Sequence, residues 1–410
     1  MCGIVGAVSP RLDQGRFNKV VESLKHRGPD ANGIYNDENI WLGHTRLAIN
    51  DLSESANQPF IDRHTGYVII FNGEIYNYRT LRDQLKNTGE FFSDCEAEVI
   101  CRLYSVYGNE MCELLDGMFA FVIYDPAAYQ LFGARDRLGK KPFFFHLDKQ
   151  LREIYWASEL KVFKEFPISL ALDTRVIDNI LNFTHYHGES VLQGVHSLPA
   201  GCYFTIELEN FTFRKAEYFN YTSLINEEEY YSWKNKGFKH TAQKLKTLLE
   251  RSVKKRLMSD VPVAIIASGG LDSSIVSVLA NQHDKYNLLH VDSVDHSELS
   301  AASLLSEKLE VDLIVERLDY LVFSNLLSKT VEHWEYPLVH TNATGILLLA
   351  QLACRKGYKV LLGGEGADEL FAGYPQHRQY LLAQKINRIF AFLPTKFVQA
   401  LIYIRGNNKG

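Results

Sequence analysis

A cysteine stands directly after the initiator methionine, at Cys2. Removal of Met1 would leave a residue that carries both a thiol and a free α-amine. An α-amine with a pKa of about 7.7–8.0 is partly neutral at pH 7 and can take the proton of an adjacent thiol, as in N-terminal nucleophiles. A cysteine here can also be a small buried core residue, so its sequence neighbours must decide.

Several short strings accompany Cys2. Arg46 stands in Gly-His-Thr-Arg-Leu-Ala-Ile, Asn72-Gly73-Glu74 ends an apolar run, and Asp94 lies in Ser-Asp-Cys-Glu. Further strings occupy residues 1–6, 26–30, 116–121, 135–142 and 157–161. In this order they resemble the class II glutamine amidotransferase domain of the asparagine synthetase family.

The resemblance implies catalysis by Cys2 and a role for each part of a glutamine site. Arg46 would bind the α-carboxylate and Asp94 the α-ammonium. Asn72, through its side-chain amide, and Gly73, through its backbone N–H, would form an oxyanion hole, where one donor is typically worth ~10²–10³ in rate. The glutamine-binding residues implied are Arg46, Leu47, Ala48, Ile49, Asn50, Asn72, Gly73, Glu74 and Asp94. Taken alone, Asn72-Gly73 is a hairpin-turn signal, and Arg46 or Asp94 suits a surface ion pair.

A second group of residues follows the apolar run 261–267. The string Ser-Gly-Gly-Leu-Asp-Ser-Ser, residues 268–274, leads from this run into a helical pattern. Its small residues let the backbone approach an anion, and the helix N-terminus adds N–H donors. No Gly-Lys-Ser/Thr follows, so the loop is not a Walker A motif. It resembles the pyrophosphate loop of ATP pyrophosphatases, although a Gly-rich turn can also be turn geometry alone.

The string Gly-Gly-Glu-Gly-Ala-Asp-Glu-Leu-Phe, residues 363–371, resembles the acidic loop of the same synthetase domain. Carboxylates on two strand-end loops can hold Mg²⁺ on a triphosphate, which assigns Asp272 and Asp368 to Mg²⁺. By resemblance, Glu365 supports acyl-adenylate formation or guides ammonia onto it. Val294 matches least, because residues 288–294 depart from the family pattern. The ATP-binding residues implied are Ile266, Ala267, Ser268, Gly269, Gly270, Asp272, Ser273, Ser274, Val294, Gly363 and Gly364.

The elements that must position these residues predict a fold that is α+β and then α/β. Strand-like runs with two helices, at residues 17–25 and 96–107, fill the first half, and the resemblance implies an N-terminal nucleophile (Ntn) αββα sandwich over residues 2–205. Residues 206–237 are predicted to be an exposed linker. From 238 to 410, helices alternate with fully apolar strands, which indicates a parallel-sheet α/β domain, and the resemblance implies that it is of the ATP-pyrophosphatase type.

Composition narrows the class of protein. The 410 residues are 46% hydrophobic with a formal net charge of −5, which fits a globular chain and argues against nucleic-acid binding. The apolar stretch 389–404 is interrupted by Pro394 and Lys396 and is shorter than the ~20 residues of a membrane-spanning helix. The first residues carry no basic segment before their short apolar run, so we expect no signal peptide. The six cysteines form no C-x-x-C pair and indicate reduced thiols of a cytoplasmic protein.

The resemblance implies a two-step enzyme. Glutamine is hydrolysed at Cys2, ATP adenylates a carboxylate, and ammonia displaces AMP to give an amide, with pyrophosphate and glutamate as the other products. The substrates implied are glutamine, ATP with Mg²⁺, and a carboxylate acceptor, and a homodimer is one expected assembly. The acceptor stays open between aspartate and another carboxylate such as a sugar acid. Residues 339–342, Val-His-Thr-Asn, lack the arginine of the bacterial pattern Thr-Thr-x-Arg, and His340 could contact the acceptor or be structural.

The sequence ends early for this family. Its members continue for a hundred or more residues past the Gly-Tyr at 373–374, through a Lys that supports adenylation, and neither that segment nor its Lys precedes Gly410. We expect a fragment of a longer protein, with the synthetase domain truncated at its C-terminal end. The rival hypothesis is a glutaminase joined to a non-catalytic nucleotide-binding module.

Overall fold

The N-terminal half forms four layers in the order helix, sheet, sheet, helix. The computed structural model describes residues 1–182, 190–295, 297–340 and 342–390. The strands of this half are β1 (Gly3–Val8), β2 (Ala31–Asp37), β3 (Ile40–Arg46), β4 (Phe60–Ile61), β5 (Val68–Ile75), β6 (Gly117–Asp125), β7 (Gln130–Arg135), β8 (Phe144–Asp148), β9 (Glu153–Ala157), β10 (Val195–Ser197), β11 (Cys202–Glu207) and β12 (Thr212–Glu217). Its α-helices are α1 (Gln14–Glu22), α2 (Tyr78–Gln84), α3 (Glu96–Tyr107), α4 (Met111–Leu114) and α5 (Thr174–Leu181).

The strands form two antiparallel sheets. The first has the order β10-β8-β9-β1-β3-β2 and the second β12-β11-β7-β6-β5-β4. Between them, Ile4 and Val8 of β1 pack with Val68 and Ile70 of β5, all at most 7% exposed. The outer face of the first sheet packs against α1, and that of the second against α3. Because both faces of each sheet are covered, central strands such as β1 and β3 are buried at every residue.

The C-terminal half contains a four-stranded parallel sheet between two layers of helices. The sheet has the order β15-β14-β13-β16. Helices α7 to α9 contribute to the core on one face of it, and α11 packs on the other. The elements are α6 (Glu227–Asn235), α7 (Phe238–Arg256), β13 (Val263–Ile266), α8 (Leu271–Ala280), β14 (Leu288–Ser293), α9 (Leu299–Leu309), β15 (Leu313–Leu318), α10 (Tyr320–Trp334), α11 (Asn342–Arg355), β16 (Val360–Leu362), α12 (Ala367–Phe371) and α13 (Pro375–Phe390).

The predicted α+β and α/β classes are both confirmed, and the ends of β13 lie within two residues of the ends of the apolar run 261–267. Residues 206–237, predicted to be an exposed linker, contain regular secondary structure. β12 pairs with β11 from Thr212 to Glu217 and completes the second sheet, and α6 follows it. The alternation in β12 is weak because it is an edge strand with mostly exposed residues. The domain limits themselves remain predictions.

Among the described residues, no helix is long and apolar enough to cross a membrane. Most of the apolar stretch over 389–404 lies outside the described residues. All six cysteines are unpaired, in keeping with the predicted free thiols.

Candidate active sites

A cavity of about 280 Å³ opens where the first residues of β1 meet the ends of β3 and β5. The pairing of Gly3 with Thr45 brings the residue before β1 to the end of β3, and β5 approaches from the second sheet. The cavity therefore collects residues distant in sequence. Of the predicted glutamine-site residues, it is lined by Cys2, Arg46, Leu47, Ile49, Asn50, Asn72, Gly73 and Glu74.

The Cys2 thiol lies beside the backbone of Leu47. Its Sγ is 3.4 Å from the Leu47 amide nitrogen, which donates to it, and 3.7 Å from the Leu47 carbonyl oxygen. Burial raises the pKa of the Cys2 thiol, and the backbone hydrogen bond from Leu47 acts in the opposite direction. The Met1 α-amine also lines the cavity, where burial lowers its pKa to about 5. An uncharged thiol thus lies in a region that also favours a neutral amine.

Two predicted glutamine-site groups have different bonding. The Arg46 guanidinium is tied to its own loop: it donates to the carbonyl oxygens of Asp51 and of Ser53, the latter at 2.7 Å, and to the Asn57 side chain at 2.8 Å. Asn72 is 1% exposed, and its Nδ2 has no partner in the part of the chain that the structure describes. A buried amide donor without a partner costs free energy, so Asn72 is available to an acceptor that enters the cavity.

The carboxyl groups in the cavity wall belong to Glu74, which was predicted, and to Glu96, which was not. Asp94 does not line the cavity: its side chain is 83% exposed and pairs with Arg82. Glu96, at the first turn of α3, is 8% exposed and lines the cavity together with Glu74. Burial first, and then the neighbouring Glu96, raise the pKa of Glu74, and burial raises the pKa of Glu96 as well. The pair therefore holds a proton more readily than isolated carboxylates do.

Ala48 is the other predicted residue outside the cavity wall, and its amide nitrogen donates to Asp30 at 2.8 Å. Sequence reasoning missed Glu96 because Asp94, two residues earlier, fits the expected string equally well. The acidic residue at the predicted start of α3 was the available signal, since acidic groups favour helix N-termini.

Lys141 is a second cavity residue that the sequence analysis left without a role. It is 5% exposed, and among the described residues its ammonium has no hydrogen-bond or ion-pair partner. Burial lowers the pKa of Lys141 to about 8, while the charges of Glu74 and Cys2 act against that shift. Lys140 and Lys141 are equivalent as sequence, and only the fold shows which one faces the cavity.

The C-terminal domain also contributes to the wall of this cavity. Arg256 ends α7 and Met258 follows it, while Lys359 precedes β16 and Val360 and Leu361 belong to it. No local pattern predicts such a contribution, because it depends on how the two halves pack together. The cavity is therefore shared by both domains.

A larger cavity, of about 500 Å³, lies at the carboxyl edge of the parallel sheet. Its wall includes Ile266, Ala267, Ser268 and Val294 of the predicted nucleotide set. The loops that follow β13 and β16, which carry the other predicted residues, leave the sheet at the same edge because the two strands are parallel neighbours. Ligands of open α/β sheets bind at this edge.

Close backbone packing shapes these loops. Gly269 has φ +88°, and a Cβ there would lie 2.8 Å from the Glu298 Cβ. A Cβ on Gly364 would lie 2.9 Å from the backbone of Asp272 and Ser273. Both positions therefore require glycine, and the contact at Gly364 brings the two predicted nucleotide loops together.

The predicted acidic residues belong to the two segments that meet at this contact. Asp272 lies in the first turn of α8, Asp368 lies in α12, and Glu365 is exposed and outside the cavity wall. Among the described residues, no cluster of three or more His, Cys, Asp or Glu side chains could hold a metal ion alone. Since Mg²⁺ is usually bound by one or two carboxylates plus phosphate oxygens, Asp272 and Asp368 fit a metal that arrives with a nucleotide.

An αββα sandwich with a cysteine just before its first strand is joined to a parallel-sheet domain with a Gly-rich loop, and a family model matches each of these two parts. Residues 1–219 match the model of the glutamine amidotransferase domain, and residues 244–406 match that of asparagine synthase. The chain belongs to the family of glutamine-hydrolysing asparagine synthetases, as the resemblance predicted.

Relatives agree with this assignment. The chain is 33% identical over 401 residues to asparagine synthetase [glutamine-hydrolyzing] 1 of Bacillus subtilis, covering 95% of this chain and 61% of that protein. It is 30% identical to the putative asparagine synthetase 2 of Methanocaldococcus jannaschii, covering 96% and 79%. It is 31% identical to the amidase chyE of Penicillium rubens, covering 94% and 61%. The chain thus spans about three fifths of the length of two of these relatives.

Proposed function

We propose that this chain hydrolyses glutamine at Cys2 and uses the ammonia, with ATP, to convert a carboxylate into an amide. One observation carries the proposal. The cavity that holds Cys2, Asn72 and Glu74 is closed by β16, the strand that leads directly into the acidic nucleotide loop. The chemistry that releases ammonia and the chemistry that consumes it would then lie on two sides of one domain interface.

In the first half-reaction, Cys2 attacks the amide carbon of glutamine. Once Met1 is removed, the α-amine of Cys2 takes the thiol proton and passes it to the departing ammonia, leaving a thioester that water hydrolyses to glutamate. The free Nδ2 of Asn72, together with the Gly73 N–H, would stabilise the oxyanion. The Lys141 cation, whose charge opposes the rise of the Cys2 pKa, supports the thiolate.

Recognition of glutamine follows from the charges of the cavity. We assign the α-ammonium to Glu96 with Glu74, since both carboxylates line the cavity and Asp94 does not. The α-carboxylate would contact the backbone of residues 47–51. The Arg46 guanidinium would hold this backbone in place and supply positive charge beside it. In this arrangement Arg46 acts mainly through the loop that it shapes.

In the second half-reaction, the acceptor carboxylate attacks the α-phosphorus of ATP and releases pyrophosphate. Ammonia then displaces AMP from the acyl-adenylate. The 268–274 loop and Gly363-Gly364 would bind the phosphates, with the nucleoside in the 500 Å³ cavity. Asp272 and Asp368 would hold Mg²⁺, which screens phosphate charge when bound. Glu365, exposed at the same loop, would act at the acyl-adenylate or on ammonia.

Aspartate is the acceptor that the names of the relatives favour. The alternative of a different carboxylate, such as a sugar acid, remains motivated by the missing arginine. In the region expected to hold it, His340 is exposed, Asn342 lines the nucleotide cavity, and Thr341 lies outside the described residues. A cytoplasmic location and a homodimer complete the proposal, and sedimentation analysis tests the assembly.

The decisive experiment measures glutamate, AMP and pyrophosphate with ATP, Mg²⁺ and aspartate, supplying either glutamine or ammonia. Cys2→Ala should lose glutamine-driven turnover and keep ammonia-driven turnover. Cys354→Ala, at an exposed cysteine, is the matched control and should keep both. Glutamate release that persists in Cys2→Ala would remove the nucleophile assignment. Glutamate without pyrophosphate from any carboxylate would favour a glutaminase with a non-catalytic nucleotide-binding module.

A further inference from the structure

The loop after β3, residues 47–53 (the glutamine loop), has a conformation that needs external support. Asp51 has φ +48°, in the left-handed region that side-chain-bearing residues rarely adopt. From inside the N-terminal domain, Arg46 donates to the carbonyl oxygens of Asp51 and Ser53. These bonds hold carbonyl groups and leave the amide of Asp51 to another partner.

That partner is Asp260, in the turn between α7 and β13 of the C-terminal domain. The Asp51 amide nitrogen donates to Asp260 Oδ2 at 2.8 Å, and the Asp260 amide nitrogen donates to the Ile49 carbonyl oxygen at 3.0 Å. The two bonds run in opposite directions and bind alternate residues of the glutamine loop. The bond to the carboxylate is charge-assisted and therefore stronger than a neutral one.

A second connection from the C-terminal domain to the glutamine loop runs through Asp30. Lys359, just before β16, donates from Nζ to Asp30 Oδ2 at 2.8 Å, and the Ala48 amide donates to the same oxygen at 2.8 Å. Although burial raises the pKa of Asp30, the hydrogen bond from Lys359 and the Ala48 amide bring it below its ordinary value. The carboxylate is thus an ionised bridge between the domains.

We infer that Asp260, and Lys359 through Asp30, are positioning residues that hold the glutamine loop in its binding conformation from the synthetase domain. The inference rests on the proposed glutaminase function. Because Leu47, Ile49 and Asn50 line the cavity, a loop that is already ordered spares glutamine the entropy of ordering it. Binding of glutamine, rather than the chemical step, should therefore depend on these two residues.

The test compares Asp260→Ala with Asp260→Asn, whose side-chain oxygen can still accept from the Asp51 amide. Loss of a hydrogen bond to a charged group is worth about 1.5–3 kcal/mol, or roughly 10–100-fold in KM. We expect Asp260→Ala to raise the KM for glutamine about 10-fold or more, with kcat and ammonia-driven turnover nearly unchanged. Asp260→Asn should recover most of this loss. Amide hydrogen exchange across residues 47–53 should accelerate in the alanine variant.

Lys255→Ala is the control for a general loosening of the interface. Lys255 pairs with Asp116 across the same interface and does not line the cavity that holds Cys2. An unchanged KM in Asp260→Ala, with an active wild type, would overturn the inference, and so would an equal rise in Lys255→Ala. If the wild type releases no glutamate, the proposed function fails instead. Hydrogen exchange then still decides whether Asp260 orders the loop, and unchanged exchange in Asp260→Ala would overturn the inference.

Discussion

Arg27 connects the main chain of the nucleophile to a buried carboxylate. Its Nε donates to the carbonyl oxygen of Cys2 at 2.9 Å, and its Nη1 lies 2.8 Å from Glu159 Oε1, with both side chains less than 10% exposed. His26 and Lys161 also pair with Glu159. Burial acts to raise the pKa of Glu159, but the hydrogen bond from His26 and the Arg27 charge hold it far below its usual range. The nucleophile is therefore anchored by an ionised cluster.

Glu159→Gln should lower kcat for glutamine hydrolysis by about 10-fold or more with little change in KM. The amide keeps the shape of the side chain but not the charge that fixes Arg27, and a misplacement of reacting groups by 1 Å can cost about 10²-fold. Steady-state kinetics of glutamate release check this expectation. Glu22→Gln, in an exposed pair with Lys25, should be silent, and a silent Glu159→Gln would contradict the anchoring role.

Asn72→Ala should reduce kcat for glutamine by ~10²–10³, the typical effect of one lost oxyanion donor. Its Nδ2 is buried and has no partner among the described residues, so removal breaks no hydrogen bond of the free protein and stability should hold. Ammonia-driven synthesis should not change. A loss confined to stability, with kcat intact, would assign Asn72 to structure alone.

Glu96→Gln and Asp94→Asn should separate the two candidates for the α-ammonium of glutamine. We expect the first to raise the KM for glutamine about 10-fold or more, since charged hydrogen bonds are worth about 1.5–3 kcal/mol. Asp94 is 83% exposed, and its substitution should leave KM unchanged. Isothermal titration of glutamine into the Cys2→Ala background measures the same difference without turnover. The reverse order of effects would restore Asp94.

The parts of the fold that could be predicted are those set by local patterns. The 268–274 string leads from β13 into the first turn of α8, as its small residues and flanking periodicity indicate, and α3 begins and ends at the predicted residues. Such features depend on neighbours in sequence. The edge strand β12 was missed because its exposed residues give no clear alternation, and pairing with β11 alone defines it.

The positions of Cys2, Asn72 and Gly73 in the cavity wall could be predicted, whereas those of its charged residues could be predicted less well. Cys2 and Asn72 belong to strings that specify backbone position, whereas Glu96 and Lys141 are distinguished from Asp94 and Lys140 only by which side chain faces the cavity. Residues of the second domain, such as Val360, enter the wall through tertiary packing. Helix and strand periodicity holds no information on that docking.

Asp62→Ala should destabilise the N-terminal domain by about 3–5 kcal/mol, the cost of removing one partner of a buried ion pair. Arg102 and Asp62 are fully buried and their Nε and Oδ1 atoms are 3.0 Å apart. Among the described residues, the variant would leave Arg102 with Glu98, at 3.6 Å, as its remaining carboxylate partner. Urea unfolding measures the change. Asp83→Ala, in an exposed pair with Lys86, should leave the free energy of unfolding nearly unchanged.

Lys141→Met should stabilise the protein while weakening the glutaminase. Burial lowers the pKa of Lys141 to about 8, against about 10.4 in an unfolded chain. Between these values the unfolded state binds more protons, so the wild type gains stability as pH rises through that window and carries the full penalty below it. The variant should therefore be more stable at pH 7, on the order of 2–3 kcal/mol at 1.36 kcal/mol per pKa unit, and lose that advantage above about pH 10.4. Its kcat for glutamine should fall at pH 7, because the cation that favours the Cys2 thiolate is gone. Lys140→Met, a change at the exposed neighbouring lysine, should keep the wild-type kcat. A variant that is less stable at pH 7, or equally active, would contradict an unpaired cation in the cavity.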